Sequence, residues 1–283
     1  MSPENGSGDR VKIHLLPNLF TAGNLACGFF ALTWIFKYAV APKLEYIQSA
    51  IYLILAAFAF DFFDGRVARV MRKESPFGRE FDSLADLVSF GVAPAFLVYS
   101  IILQEFEKTG WMVAAIYLVC GGIRLARFNV LTLFNEGKGK PKDTFIGLPI
   151  PSGAALVVSV TWFMLWIRED NIIAPRGSAE HPLGPLRFVL PALMLLVSGL
   201  MISNVRYPNF KQVEWTARRS VAAFAALAVA MIFFFRYPEV TFALLFVAYL
   251  LYGLIRPWIS KRWRHEIEEE DEEENGRVAP DHL

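Results

Sequence analysis

A bundle of about eight membrane-spanning helices, all-α in class, is the architecture this sequence predicts, and three observations predict it. Apolar residues make up 55% of the 283 residues and charged residues only 19%, against roughly 45–50% and about 25% in soluble domains. The excess collects in runs of about 18–25 residues, the length that crosses a bilayer as a helix. Lysine and arginine are distributed unevenly between the connections that join those runs.

The runs fall at residues 16–40, 47–68, 83–104, 110–133, 149–167, 186–205, 218–235 and 239–258. Short polar connections separate many of them, marked by Pro42, Pro76, Gly78, Gly137, Gly139, Pro208 and Pro238, as expected for turns between spanning helices. Residues 1–11 read as a polar N-terminal segment without the layout of a cleaved signal peptide, so the first apolar run is expected to remain in the mature chain. Residues 12–260 then form one transmembrane domain. Residues 261–283 form a charged tail whose block from Glu266 to Glu274 reads as solvated and disordered.

If the N-terminus is cytoplasmic, all but seven of the 28 Lys and Arg fall on the cytoplasmic side. The exceptions are Lys37, Lys43, Lys108, Arg168, Arg176, Arg187 and Arg236. This bias predicts both termini inside, in keeping with an even number of helices. The two cysteines, Cys27 and Cys120, lie within apolar runs and read as small buried hydrophobes, neither a disulfide nor a metal framework. No nucleic-acid partner is expected.

The chemistry is concentrated between Asp61 and Asp86. The stretch reads Asp61-x-x-Asp64-Gly65-x-x-Ala68-Arg69, then eight residues, then Gly78-x-x-x-Asp82-x-x-x-Asp86. An ionised Asp at the centre of a spanning helix costs about 2.5–3.5 kcal/mol on insertion scales, so four of them need a reason. Asp61 and Asp64 are three apart and share one face of the second helix, while Asp82 and Asp86 are four apart and share a face of the third. If the two helices are antiparallel neighbours, the four carboxylates converge at the cytoplasmic end of the pair. They cannot all ionise unless cations bind between them. Oxygen-only ligands suit Mg²⁺, Mn²⁺ or Ca²⁺, and a pair of such ions is a common device for displacement at phosphorus. A side chain at Gly65, directly after Asp64, would crowd a ligand held by the carboxylates. Ala68 continues that face. Arg69, one turn beyond Gly65, can grip a phosphate with two parallel donors, and Gly78 is expected in the connecting loop. The alternative reading is structural, with the aspartates paired to Arg66, Arg69, Arg72 and Arg79 or serving ion transport.

These eight positions resemble the signature of the CDP-alcohol phosphotransferases and depart from it nowhere. The resemblance implies a multi-helical, commonly dimeric membrane enzyme dependent on Mg²⁺ or Mn²⁺, in which six helices form the catalytic core and the last two lie at its periphery. Such an enzyme moves a phosphatidyl or related group from a CDP-linked donor to an alcohol and releases CMP. It also implies roles: Asp61, Asp64 and Asp82 as metal ligands, Asp86 as both metal contact and base on the acceptor hydroxyl, and Gly65, Ala68, Arg69 and Gly78 as the lining of the CDP pocket.

Three further stretches bear on the acceptor: Pro17-Asn18-Leu19-Phe20-Thr21 with Gly23-Asn24-Leu25 and Cys27-Gly28-Phe29, then Arg124-Leu125-Ala126-Arg127-Phe128-Asn129, then Phe145-Ile146-Gly147-Leu148-Pro149-Ile150-Pro151. Together they resemble the membrane-type phosphatidylserine synthases of that family, over roughly residues 12–255. The implied substrates are CDP-diacylglycerol and L-serine, and the implied setting is a homodimer in a bacterial cytoplasmic membrane with its site on the cytoplasmic side. Serine is a zwitterion, so its pocket must meet a carboxylate and an ammonium. Arg124 and Arg127 can clamp the carboxylate and Asn129 can add a polar contact, although both arginines also suit membrane anchoring. Asn18, Thr21 and Asn24 recur every three residues, facing either the nucleotide and donor glycerol or a neighbouring helix; Asn18 and Thr21 are placed with the CDP-lipid. Glycerol 3-phosphate, an inositol phosphate, choline or an ether-lipid donor remain alternatives within the family. A cation-binding transporter is the alternative outside it.

Overall fold

The computed structural model describes residues 15–71, 76–135, 144–169, 184–203, 206–208, 231 and 233–254. The polar N-terminal segment 1–11, the tail 261–283 and most of the apolar run 218–235 lie outside the described residues.

Helix α1 spans Leu15–Val40 and α2 spans Leu44–Met71, joined by a turn at Pro42. Among the described residues, five helices are long and apolar enough to cross a membrane: Asn18–Val40, Leu44–Val67, Pro76–Ile101, Leu103–Thr132 and Ile150–Arg168. Leu186–Ile202 and Pro238–Leu254 are shorter apolar helices. Large apolar side chains such as Phe29, Phe36, Tyr52, Trp111 and Leu195 face outward. That is the pattern of helices whose surroundings are as apolar as their core.

The third span is not one regular helix. It begins as α3 (Pro76–Asp86), widens into a π turn over Leu87–Val92 and resumes as α4 (Ala93–Ile101). It therefore starts seven residues earlier than its hydropathy predicts, because its first turns carry the polar sequence Gly78-Arg79-Glu80. Gly78 lies within the first turns of α3, not in a loop. The π turn follows Asp86 directly. Ser89 within it donates to the carbonyl of Asn24 on α1 at 2.9 Å, and Tyr117 donates to the carbonyl of Phe90 at 2.9 Å. The carbonyl displaced by the wide turn is thus met by a side chain, as buried backbone requires. Gly28 lets α1 reach this turn: a Cβ there would meet the hydroxyl of Ser89 and lie 2.8 Å from its Cα.

Helix α5 spans Glu107–Asn135. A short strand, β1 (Thr144–Ile146), pairs antiparallel with β2 (Arg206–Pro208), with Phe145 opposite Tyr207. This ribbon adds to the all-α expectation and ties the connection after α5 to the one after α7. Gly147 ends β1 at φ +80°, a conformation glycine adopts freely. Helix α6 (Ile150–Glu169) starts directly after Pro149 and has Pro151 in its first turn, where no helical N–H is lost. Helix α7 spans Val189–Ile202 and α8 spans Pro238–Leu254.

One core cluster joins Phe90, Val98, Tyr117, Ile150, Leu156, Met194, Val197 and Leu250. A second joins Ile35, Ile51, Ile54, Leu97, Val158 and Trp162. Leu250 of α8 belongs to the first cluster, and Phe242 stacks on Trp162 at 6.2 Å. Helix α8 is therefore built into the core, not peripheral as its place near the end of the chain led us to expect.

Candidate active site

The third-span geometry brings the two halves of the aspartate pattern together. Oxygens of Asp61, Asp64 and Asp82 lie within 4.8 Å of one another. Asp61 and Asp64 come from the last turns of α2, and Asp82 from α3. Asp64 is buried, and Asp61 and Asp82 are half-buried. Thr21 of α1 donates to Oδ2 of Asp64 at 3.2 Å, so three helices close on this point. Oδ1 of Asp82 is buried without a hydrogen-bond partner. A buried carboxylate oxygen with no donor is costly in a protein interior, and a hard divalent cation would satisfy it. The donor set, three carboxylates and no nitrogen or sulfur, fits Mg²⁺, Mn²⁺ or Ca²⁺.

Asp86 lies one turn deeper along α3, with 7% of its surface exposed. It stands outside the triad whose oxygens cluster within 4.8 Å, yet the charges of Asp61, Asp82 and Asp64 all reach it. Asn24 holds it, donating from Nδ2 to Oδ1 at 3.1 Å. The polar residues of α1 are thus layered: Thr21 meets the triad and Asn24, one turn on, meets Asp86. Asn18, one turn earlier, carries a buried Nδ2 without a hydrogen-bond partner.

Gly65 follows Asp64 in α2, and its backbone N–H contributes a hydrogen bond to the Asp64 carboxylate. Ala68 and Arg69 continue α2, but their side chains lie outside the described residues. Arg66 packs its guanidinium over Phe62 at 4.2 Å.

The three residues of the Arg124–Asn129 stretch have different partners. Arg124 is 8% exposed, lies 5.5 Å from the ring of Phe128 and is within electrostatic reach of Asp86 and of the Tyr249 hydroxyl. No hydrogen bond to its guanidinium is found among the described residues. Arg127 donates from Nη1 to the carbonyl of Ile202 at 3.3 Å, at the end of α7. Asn129 turns toward α3, with Nδ2 at 2.9 Å from Ser83 Oγ and 3.4 Å from Glu80 Oε2. Helical spacing put these residues near one another, but which neighbour each one meets depends on helices distant in sequence.

Sequence reading did not single out Ser83, Ser89, Ser152 or Tyr249. Tyr249 of α8 is hydrogen-bonded to Ser152 at the start of α6 and senses Arg124. Its only sequence signal is a lone hydroxyl in an apolar helix, which is common. Asn24 did carry a signal, its place in the Asn18–Thr21–Asn24 stripe.

A sequence model of the CDP-alcohol phosphatidyltransferases matches residues 14–195, which contain every aspartate of the site. A CDP-diacylglycerol–serine O-phosphatidyltransferase of Helicobacter pylori is 36% identical over 247 residues, covering 87% of this chain and 92% of its own. The protein of that name from Bacillus subtilis is 34% identical over 201 residues, covering 71% of this chain and 93% of its own. The chain belongs to the CDP-alcohol phosphatidyltransferase family.

Proposed function

We propose that this membrane enzyme transfers the phosphatidyl group of CDP-diacylglycerol to the hydroxyl of L-serine, giving phosphatidylserine and CMP. The observation that carries the reading is the juxtaposition of Asp86 with the carboxylate triad on one side and the buried Arg124, without a hydrogen bond among the described residues, on the other. The names of the relatives agree with serine as acceptor.

Asp61, Asp64 and Asp82 would hold divalent cations, with Asp86 as a further contact. Two Mg²⁺ or Mn²⁺ ions there would offset the charge that develops on the leaving phosphate. Asp86 takes the proton of the serine hydroxyl as the new O–P bond forms and the bond to CMP breaks. A hydroxyl is a weak nucleophile at neutral pH, so a base in the same pocket is needed. Arg124 binds the serine carboxylate through paired N–H groups. Asn18 and Thr21, with Gly65, Ala68, Arg69 and Gly78, line the CDP-lipid pocket, and the free Nδ2 of Asn18 suits a phosphate oxygen. Arg127 and Asn129 flank the acceptor side: Arg127 secures the end of α7, and Asn129 fixes α3 through Ser83.

The donor carries acyl chains and the acceptor is water-soluble, so the site must straddle the interface. The Lys and Arg bias supports a cytoplasmic-side site with both termini inside a bacterial inner membrane, and the family resemblance supports a homodimer there. The deciding experiment is CMP release by the purified protein with CDP-diacylglycerol and Mg²⁺ or Mn²⁺. Serine is compared with glycerol 3-phosphate, inositol phosphate and choline. Release with serine alone is expected. Release only with another acceptor would overturn the serine assignment, and none with any of them would overturn the transferase reading.

A further inference from the structure

Resting on the serine reading above, we propose that Asn24 is an acceptor-recognition residue: its Nδ2 holds Asp86 while its Oδ1 receives the ammonium group of the amino-acid acceptor.

Asn24 is fully buried, and its polar atoms are almost entirely accounted for. Its Nδ2 donates to Asp86 Oδ1 at 3.1 Å. Its main-chain carbonyl accepts from Ser89 at 2.9 Å. The amide orientation follows from chemistry: a carboxylate acting as base accepts, so the NH₂ must face Asp86 and the oxygen must face away. That oxygen, Oδ1, is buried with no hydrogen-bond partner. An unmet buried acceptor costs about 1–3 kcal/mol, and turning the amide over would set its oxygen against the Asp86 carboxylate in place of the donor.

What fills that position must donate hydrogen bonds or carry positive charge, and it must sit beside Asp86. The acceptor is bound there by definition, because Asp86 takes its hydroxyl proton. An amino acid offers a hydroxyl, a carboxylate and an ammonium on a three-carbon frame. Asp86 meets the first and Arg124 the second. Among the described residues the buried acceptors without a partner are Asn24 Oδ1 and, one turn from Asp86 in the carboxylate triad, Asp82 Oδ1, and the ammonium is the group left to satisfy the first. Away from water such a contact is strong, since solvent neither screens nor competes with it. A metal ion is the competing occupant. The layering argues against it, because Thr21, one turn earlier, is the α1 residue that reaches the metal triad.

The experiment uses the full-length enzyme with CDP-diacylglycerol, following CMP release with L-serine and with 3-hydroxypropanoate, the same skeleton without the ammonium. Metal is titrated in parallel. Wild type should strongly prefer serine. Asn24→Ala should collapse that preference at least tenfold, beyond any loss common to both acceptors from the loosened Asp86. Asn24→Asp keeps an oxygen for the ammonium but removes the donor to Asp86, so it should lower kcat with both acceptors and retain the preference for serine. An unchanged preference in Asn24→Ala would overturn the proposal. So would a shifted metal requirement with the preference intact, which would assign the amide to the metal centre. If Asn24→Ala does not bind CDP-lipid, Asn24→Asp decides: loss of its serine preference would overturn the proposal, and retention at lower kcat would support it. Wild type that uses a different acceptor and not serine would overturn the serine reading itself, an outcome distinct from serine turnover with an unaltered preference in the variants.

Discussion

At the end of the bundle where α2 gives way to α3, the helices α1, α2, α3 and α5 bring four aspartates, Thr21, Asn24 and Arg124 into one largely buried region. At the opposite end, the close of α6 and the start of α8 surround a cavity of about 610 Å³ lined by Phe163, Trp166, Phe233, Arg236, Tyr237 and Val240. The aromatic end is held by ring contacts: Phe163 stacks on Trp166 at 6.1 Å, Trp166 meets Tyr237 edge-on at 6.3 Å, and Arg236 lies over Tyr237 at 4.8 Å. Trp and Tyr beside an Arg at the end of apolar helices is the residue composition expected of an interfacial girdle. The contrast teaches that open volume does not locate the chemistry. It lies where charge has been buried against a steep cost, and where partners for that charge are incomplete.

If this contrast is sound, substitutions at the two ends should differ by orders of magnitude. Asp82→Ala, or chelation of divalent cations from wild type, should reduce CMP release below detection, and only chelation should be reversed by adding Mg²⁺ or Mn²⁺. Asp86→Asn should lower kcat by about 10²–10⁴-fold, the span of a general base, while CDP-lipid binding measured directly is largely retained. Full activity would remove Asp86 as the base. Arg124→Ala should raise the serine KM by about 10–100-fold, since a hydrogen bond to a charged group contributes about 1.5–3 kcal/mol, with little change in the donor KM. An unchanged serine KM would return Arg124 to an anchoring role.

Two smaller effects test the scaffold. Gly28→Ala places a methyl group against Ser89 and should destabilise the protein by about 1–3 kcal/mol through overpacking, read as a lowered thermal midpoint in detergent. At the aromatic end, Arg236→Ala should leave kcat and both KM values within about twofold, as expected of a change away from buried networks. A large loss there would show that the two ends are functionally coupled.

Much of the active site is legible in the sequence because helix geometry is local. Asp61 with Asp64, and Asp82 with Asp86, share faces by their spacing alone. The Gly28 and Asn24 positions are less legible, because their meaning depends on a π turn after Asp86 that no periodicity announces. The Arg124–Asn129 stretch shows the same limit. Its three polar residues follow one helix, but Arg124 lies by Phe128 within electrostatic reach of Asp86, Arg127 meets the end of α7 and Asn129 meets Ser83.

The sequence by itself determined the membrane setting, most of the spans and the pairing of carboxylates along each helix. Hydropathy and the 3.6-residue period act over distances of one or two turns, so they survive without knowledge of the partner. Only the tertiary structure decided that Thr21 meets Asp64, that Asn24 grips Asp86, that β1 pairs with β2 and that α8 enters the core. Those contacts join residues 43, 62 and more positions apart in sequence. They depend on how helices rotate and close upon one another, which the pattern within any single helix does not encode.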